Sequence, residues 1–407
     1  MWITNPRGAQ LSGFRSAAKP RSTGSVLISL ICTCPFLAVG LPAGCGGGGS
    51  PTSGDILVGH FASMTGSEAT FGQSTDRGIR LAVDEINAAG GIHGRHIRLI
   101  TLDDKGDSRE AGTAVTRLIT KEQVVAVLGE VSSGLSLAGA PVCQESGIPM
   151  ISPSATSPRV TRVGDMIFSI CFTDPFQGFA CAKFAREHAD LRAERAAILV
   201  DQTSPYSVGL QEEFEQAFQA MGGTVVSRQS YQGGDQDFSA QLTSIRAAAP
   251  DVLFLPGYYT DVGNIALQAQ KLGLQMPLLG GDGWDSPRLS EIAGSAIEGA
   301  YFSNHYSHED PRPQVQEFVQ KYRERFAEVP DGLAALGYDA ARILFQALQQ
   351  AGSLAGTDLA AELAAVRDFR GVTGTISISP ERNAVKPAVM LRMTDGKPSW
   401  VSTIQPE

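Results

Sequence analysis

The segment that decides the fold is residues 79–91, IRLAVDEINAAGG. Its apolar side chains recur at steps of three and four along the chain, at Ile79, Ala82, Val83 and Ile86. This spacing predicts an amphipathic helix, and the glycine pair 90–91 ends it with residues that tolerate positive φ. Short apolar runs flank the helix, ILV at 56–58 and IRLI at 97–100. The first unit is therefore predicted to be strand, helix, strand, which favours a parallel strand pair joined by a right-handed crossover.

The same alternation continues along the rest of the chain. Further short β-rich runs are 124–128, 150–151, 196–200, 224–226, 252–255 and 300–302. Stretches with helical periodicity are 109–121, 136–146, 176–189, 206–221, 237–248, 261–272, 313–327, 333–351 and 357–367. This order predicts an α/β protein whose doubly wound, mainly parallel sheets carry helices on both faces. About nine such units exceed what one open sheet usually carries, so we expect two sheets in two lobes.

Length and charge restrict the class of protein. The chain has 407 residues, with 42 Asp and Glu against 33 Lys and Arg. That length allows two domains of ordinary size. Charged residues make up 18% of the chain and the net charge is -9, which gives no basic surface for phosphate backbones. We therefore expect no nucleic acid among the partners.

The first 44 residues differ from the rest because they contain four basic residues and no acidic one. An apolar run at 26–39 follows the basic residues, and LPAGC at 41–45 comes after it. This order is typical of a secretory signal peptide, here residues 1–44. A membrane-spanning helix is the alternative, but it needs about 20 unbroken apolar residues. Polar residues and a proline interrupt this run, which disfavours the spanning helix.

Ala43-Gly44-Cys45 resembles the end of a bacterial lipobox, in which the cysteine is lipidated and becomes the mature N-terminus. Pro42 stands where that motif prefers Leu. Residues 45–54, CGGGGSPTSG, have the composition of a flexible tether that cannot pack a core. The sequence thus predicts an exported lipoprotein, periplasmic or at the cell surface, that Cys45 anchors to a bacterial membrane.

Four motifs of common enzymes are missing from the sequence: the phosphate loop GxxxxGK[ST], GxGxxG after the first strand, GxSxG and HExxH. We therefore expect no enzymatic activity, no cofactor and no metal. Two histidine pairs have i, i+3 spacing, His93 with His96 and His305 with His308. Without convergent further ligands they are predicted to be solvated surface residues. No C-x-x-C spacing occurs, and the disulfide pairing of Cys143, Cys171 and Cys181 is left open.

Hydroxyl-rich loops directly follow two of the predicted strands. They are GEVSSG at 129–134 and SPSATSP at 152–158. Hydroxyls and backbone N–H groups at the start of a helix form a neutral cradle for a carboxylate. Serine and threonine also favour helix N-caps, so either loop alone predicts only local structure. Two such loops on adjacent strands favour a binding site.

Later loops carry an acid and aromatic residues. They are PGYYTD at 256–261, GGDGWD at 280–285, and Pro205-Tyr206 after the run at 196–200. An acid between glycines can accept hydrogen bonds from a ligand ammonium, and aromatic rings provide rigid apolar walls. The pair Asp282-Gly283 also suits a plain turn. A carboxylate cradle together with an acid and aromatic walls predicts a site for an α-amino acid.

Six segments, taken together and in order, resemble the leucine/isoleucine/valine-binding family of type I periplasmic binding proteins, which serve ABC importers. They are GHFASMTGSEATFG at 59–72, DEINAAGGI at 84–92, DD at 103–104, IPMISPSAT at 148–156, DPFQG at 174–178 and GYDA at 337–340. The resemblance covers residues 55 to 400. It implies a two-lobed fold with three hinge crossings, near 172–174, 303–305 and 374–376, and a ligand held between the lobes.

The resemblance also implies the roles of individual residues. Those that bind the ligand carboxylate and ammonium are Ser133, Ser154, Thr156 and Asp282. Those that form the aromatic and apolar wall of the cleft are Phe71, Tyr206, Tyr258, Trp284 and Leu333. The chain departs from the family pattern at two of these positions. Asp282 stands where the family commonly has the longer Glu, and Phe71 stands where it frequently has Tyr.

The implied domains are a first lobe, 55–172 plus 305–374, and a second lobe, 173–304 plus 375–407. The implied function is that of a monomeric substrate-binding component of an ABC importer, which closes around an amino acid with an uncharged side chain, for instance a branched-chain one. Its partners are then membrane permease subunits. A sensory receptor module, or a binder of amides, urea or aromatic acids, is the alternative on the same fold.

Overall fold

The computed structural model describes residues 54–406. The predicted signal peptide, most of the tether and the lipidation site Cys45 lie outside the described residues. Within 54–406 no helix combines the length and the apolar character that a membrane crossing requires.

The first sheet is wholly parallel and has five strands in the order β2-β1-β3-β4-β5. The strands are β1 (Ile56–Ala62), β2 (Ile97–Asp103), β3 (Ala126–Leu128), β4 (Met150–Ser152) and β5 (Ile167–Ser169). β3, β4 and β5 are buried along their whole length. This explains why they are short apolar runs without alternation, since both faces of a parallel sheet are covered.

Five parallel strands begin the second sheet: β6 (Arg195–Asp201), β7 (Thr224–Tyr231), β8 (Val252–Leu255), β9 (Leu278–Gly280) and β10 (Tyr301–Asn304). A small antiparallel sheet follows, with β11 (Phe369–Gly371), β12 (Gly374–Ile378) and β13 (Ala384–Val385). The antiparallel pair β14 (Ala388–Thr394) and β15 (Lys397–Ile404) then completes the second sheet, in the order β15-β14-β10-β9-β8-β6-β7.

Helices connect the parallel strands. They are α1 (Ala69–Ala88), α2 (Ser108–Thr120), α3 (Ser133–Glu145), α4 (Asp174–Glu187), α5 (Pro205–Ala220), α6 (Ser239–Ala248), α7 (Tyr259–Lys271), α8 (Pro287–Ala293), α9 (Pro313–Phe326), α10 (Gly332–Gln350) and α11 (Gly356–Ala364). The predicted α/β fold with two mainly parallel sheets is confirmed. α8, β5 and β11–β15 were not among the predicted elements, and several of these strands are only two or three residues long.

One boundary of the predicted division into lobes differs from the contacts of the chain. Residues 375–385, assigned to the second lobe, contain most of β12 and all of β13, and Asn383 forms a β-bridge with Ser169 of β5. Arg382 also donates to the Thr161 carbonyl at 2.8 Å. After β13 the chain returns to the second sheet at β14, which pairs with β10. The remainder of the division stays a prediction.

Three hydrogen bonds link residues at the starts of α1 and α10 to residues that follow β8 and β9 of the second sheet. Thr70 Oγ1 lies 2.9 Å from Ser286 Oγ, and Thr260 Oγ1 donates to the Ser67 carbonyl at 2.9 Å. The Gly332 N–H donates to Asp285 Oδ2 at 2.6 Å. The carboxyl ends of both sheets therefore face one another, which is where ligands bind in doubly wound folds.

Candidate functional site

A small cavity of about 20 Å³ lies between the loops of the two sheets. Seven of the nine predicted pocket residues line it: Phe71, Ser133, Ser154, Tyr206, Tyr258, Asp282 and Leu333. Val131 and Gly283 complete the lining. The other two predicted residues, Thr156 and Trp284, are buried but do not line it. The fold brings these residues together from seven separate segments of the chain.

The first sheet contributes hydroxyl groups and the start of a helix. α3 begins at Ser133, and Ser132, its N-cap, makes no side-chain capping bond. Ser133 Oγ accepts a bond from the Ser157 N–H at 3.2 Å, so its own hydrogen is free to donate into the cavity. Ser154 Oγ donates to the Val131 carbonyl at 3.0 Å, which leaves its lone pairs as acceptors. This wall can therefore both donate to an anion and accept from a cation.

The second sheet contributes Asp282, which stands directly after β9 in a single 3-10 turn. Its Oδ1 accepts from Gln177 Nε2 at 2.7 Å and from the Tyr206 hydroxyl at 3.0 Å. A Cβ at Gly281 would lie only 2.4 Å from the Tyr206 hydroxyl and 2.8 Å from Gln177 Nε2. The glycine before Asp282 is thus required for these two donors to reach the carboxylate.

His305 is the third partner of Asp282, with Nε2 3.0 Å from Oδ2. The prediction that His305 is a solvated surface residue was wrong, because it lies at the end of β10 and is 2% exposed. Its ring stacks on Phe172 at 3.7 Å between centroids. Burial lowers the pKa of His305 to about 4, although Asp282 opposes the shift. The imidazole is therefore neutral near pH 7, and none of the three partners of Asp282 is a cation.

Aromatic rings close the cavity. Tyr206 and Tyr258 stack with centroids 5.2 Å apart and an interplanar angle of 8°. Phe71, from α1 on the other side of the cleft, meets Tyr258 edge-on at 5.7 Å. Phe71 lacks the hydroxyl that the family pattern frequently has at this position, so the Phe71 edge of the cavity is apolar.

Unsatisfied polar atoms lie close to the cavity. Thr156 Oγ1, both carboxylate oxygens of Asp174 and Gln177 Oε1 are buried without a hydrogen-bond partner. Burial raises the pKa of Asp174 to about 8, and the charge of Asp282 adds to that shift. The Thr156 hydroxyl opposes this rise in the pKa of Asp174, so these two side chains face one another beside Asp282. Asp174 belongs to the DPFQG segment, which gave the sequence signal, but no role was predicted for it.

A second acidic residue, Glu130, stabilises the loop 129–134 that leads into α3. Glu130 Oε2 accepts from the Ser132 N–H at 2.5 Å, and Glu130 Oε1 accepts from the Ser63 N–H at 3.2 Å. Ser63 Oγ donates to Asp104 Oδ1 at 2.9 Å. Burial, and next the charge of Asp104, raise the pKa of Glu130 to about 8. Glu130 thus fixes the residue that precedes α3 without adding a full charge to the cavity near pH 7.

The described residues contain no group of three or more His, Cys, Asp and Glu side chains arranged to hold a metal ion. Cys143, Cys171 and Cys181 are free and buried, so the disulfide pairing left open by the sequence does not occur among them. His93 and His96 are exposed, as predicted.

Comparisons with known proteins agree with this geometry. The family model described as "Periplasmic binding protein" matches residues 55–397. The "Leu/Ile/Val-binding protein homolog 2" of Brucella abortus is 31% identical over 371 residues, which span 90% of this chain and 95% of that protein.

Solved structures of related binding proteins have the same fold. The leucine-binding protein LivK of Thermotoga maritima is 37% identical, with a TM-score of 0.83, over 86% of this chain and 99% of that chain. LivJ of Streptococcus pneumoniae, solved in complex with isoleucine, is 33% identical, with a TM-score of 0.82, over 86% and 100% of the two chains. A solute-binding protein of R. palustris in complex with 4-hydroxybenzoate has a TM-score of 0.79 at 22% identity over 86% and 97% of the two chains, which shows a shared fold only.

Proposed function

The chain belongs to the periplasmic binding protein family, and we propose that it is the extracytoplasmic substrate-binding component of an ABC importer that takes up a free amino acid with an apolar side chain. The ligand occupies the cavity between the two sheets, with Asp282 on one side and Ser133 on the other. Membrane permease subunits then receive the ligand from this protein, which acts as a monomer.

The observation that carries the proposal is that the buried side chain of Asp282 has only neutral partners. Its three partners are the amide of Gln177, the hydroxyl of Tyr206 and the neutral imidazole of His305. No Lys or Arg lines the cavity. A carboxylate without a counter-charge in a buried site is costly unless a cation joins it, and the α-ammonium of an amino acid is such a cation.

The opposite wall fits the ligand carboxylate. The free hydrogen of Ser133 and the uncapped N-terminus of α3 are donors, and the positive end of the helix dipole favours an anion there. Leu333, Val131 and Phe71 supply the remaining apolar surface. An apolar side chain, as in leucine, isoleucine or valine, therefore matches the lining better than a charged one. LivK and LivJ, named for leucine binding and solved with isoleucine respectively, support this class.

The size of the cavity requires movement. About 20 Å³ holds roughly one water molecule but no amino acid. Binding therefore requires the two sheets to move apart and to close again around the ligand, as in hinged binding proteins. Closure follows only if the ligand binds the closed arrangement better than the open one. The closed form is then the species that a permease recognises.

Calorimetry on the purified protein tests the proposal. Leucine, isoleucine and valine are expected to bind with micromolar or tighter Kd, and lysine and aspartate at least about 100-fold more weakly, because a buried unpaired charge is costly. Benzoate, acetamide and urea cover the alternative ligands. Benzoate has no cation to pair with Asp282, so we expect it to be rejected. If no amino acid binds below millimolar concentration, the amino-acid assignment fails. Genes for a kinase rather than a permease and an ATPase beside this one would favour a sensor.

We also infer that the mature protein is attached to a membrane by a lipid on Cys45. The support is the order of basic, apolar and small residues before Cys45, followed by a glycine-rich tether. Metabolic labelling with palmitate in a bacterial host is expected to mark the wild-type protein and not the Cys45→Ala variant. Equal labelling of the two proteins would place the lipid elsewhere, and absence of label on both would remove the anchor.

A further inference from the structure

A second cavity of about 660 Å³ lies beside the amino-acid site, within the range of roughly 300–1,000 Å³ that is usual for small-molecule sites. Consecutive residues divide the two cavities. Phe71, Gly283 and Leu333 line the first, whereas their neighbours Thr70, Trp284 and Gly332 line the second. At three points the chain thus lies between the two cavities.

The floor of the second cavity is acidic. Asp285 is 6% exposed, and its Oδ2 accepts from the Gly332 N–H at 2.6 Å. Asp331 Oδ1 accepts from the Ala334 N–H at 2.9 Å and contacts the Ser74 hydroxyl. Among residues 54–406, neither acid has a Lys or Arg within ion-pair distance. Burial, and next the charge of Asp331, raise the pKa of Asp285 to about 7. Burial raises the pKa of Asp331 as well, and Arg77 lies near enough to oppose this rise, but two neighbouring acids that make no ion pair still favour a cationic group.

The rim of the cavity is basic. Arg77 and Arg288 are neutralised by Glu328 and Glu291 respectively. Arg323 and Lys397 are exposed, and in the described part of the chain neither makes an ion pair. The rim therefore offers two cations to an anionic group.

Between floor and rim the wall combines apolar surface with one unsatisfied hydroxyl. Trp284, Phe302, Leu391 and Met393 supply the apolar surface. Tyr306 lines the cavity and is 4% exposed, yet its hydroxyl has no hydrogen-bond partner. A buried tyrosine hydroxyl usually finds a partner. A ligand that offers a hydrogen-bonding group in its middle would satisfy it.

We propose that this cavity is a second binding site, for a short apolar peptide with free termini. The ammonium lies at Asp285 and Asp331, and the carboxylate lies at Arg323 and Lys397. A peptide group bonds the Tyr306 hydroxyl, and apolar side chains pack on the Trp284 wall. A single amino acid carries both charges on one carbon, whereas here the acids form a buried floor and the free cations stand at an exposed rim. A peptide carries its two charges on different residues. This proposal rests on residues other than those of the amino-acid site and does not depend on the proposed function.

Calorimetry with leucyl-leucine, on the purified protein with and without saturating leucine, tests it. We expect binding that leucine does not displace. N-acetyl-leucyl-leucine and leucyl-leucine amide each lack one charge and are expected to bind at least about tenfold more weakly. The double variant Arg323→Ala, Lys397→Ala should weaken the dipeptide by at least about tenfold and leave leucine unaffected. Lys271→Ala removes an exposed lysine elsewhere and is the control without effect.

Two further variants separate this site from the first. Tyr306→Phe is expected to weaken the dipeptide several-fold without lowering the unfolding temperature, because the hydroxyl has no partner to lose. Asp282→Asn should weaken leucine and leave the dipeptide unchanged. The proposal is overturned if the dipeptide gives no heat, if leucine displaces it, or if the blocked analogues bind equally well. A dipeptide that binds while no amino acid does would overturn the proposed function and uphold this site.

Discussion

Asp282→Asn is expected to weaken leucine binding by about 2–3 kcal/mol, roughly a 30- to 150-fold rise in Kd. The physical reason is the loss of the negative charge that faces the ligand ammonium. A hydrogen bond to a charged group contributes more than a neutral one, and no other acidic side chain lines the cavity. Tyr206 and Gln177 are donors, and His305 is neutral near pH 7 because burial lowers its pKa to about 4.

The variant is expected to fold, because its amide can keep all three contacts. The asparagine oxygen takes the position of Oδ1 and still accepts from Gln177 and Tyr206. The asparagine NH₂ then faces His305 Nε2, which becomes an acceptor if the ring proton moves to Nδ1. Nδ1 has no partner in the structure, so this tautomer breaks no existing bond.

Asp201→Asn is the matched control. Asp201 ends β6 in the same sheet and is 6% exposed, against 7% for Asp282, but it does not line the cavity. Its Oδ1 accepts hydrogen bonds from the Thr203 and Gly233 N–H groups. Calorimetry and thermal unfolding should be measured on both variants. Equal affinities for leucine in the wild type and Asp282→Asn would show that this carboxylate does not hold the ammonium.

The helices and the loop positions could be predicted because they depend on local periodicity. α5, predicted over 206–221, spans Pro205–Ala220, and α9, predicted over 313–327, spans Pro313–Phe326. Loops that follow strands converge on one sheet edge as a consequence of the fold. Tyr206 and Asp282 could therefore be placed together, although 76 positions separate them in the chain.

The partners of Asp282 were missed because nothing local marks them. His305 and Gln177 approach Asp282 only after β10 and α4 have packed against β9. His305 and His308 were predicted to be solvated because no further metal ligands converge on them, whereas the end of β10 buries His305. Trp284 was expected in the ligand wall, yet its Nε1 donates to the Leu255 carbonyl at 3.0 Å and its ring lines the second cavity. After a tight turn, the direction of a side chain depends on residues that are close in space but distant in sequence, so the sequence alone does not predict it.

Gly78→Ala is expected to lower the free energy of unfolding by about 3 kcal/mol, although alanine is the better helix former by about 1 kcal/mol. α1 and α10 cross at Gly78 and Gly337. A Cβ at Gly78 would lie 2.0 Å from the Ala334 carbonyl oxygen, and one at Gly337 would lie 2.5 Å from the Thr75 carbonyl oxygen. Backbone atoms cannot rotate away as a side chain can, so the two helices must separate.

The free energy of unfolding in urea should be measured for Gly78→Ala and for Gly112→Ala. The comparison separates the steric clash between α1 and α10 from the effect of helix propensity. Gly112 lies inside α2, and a Cβ there would approach no atom closer than the Ala138 carbonyl oxygen at 3.6 Å. Gly112→Ala is therefore expected to stabilise the protein by about 0.5–1 kcal/mol. A Gly78→Ala protein as stable as wild type would show that the helices do not pack this closely. Phe71 in α1 and Leu333 in α10 both line the amino-acid cavity. If Gly78→Ala forces the two helices apart, these two side chains move with them. The variant should therefore also bind leucine more weakly, although Gly78 itself does not line the cavity.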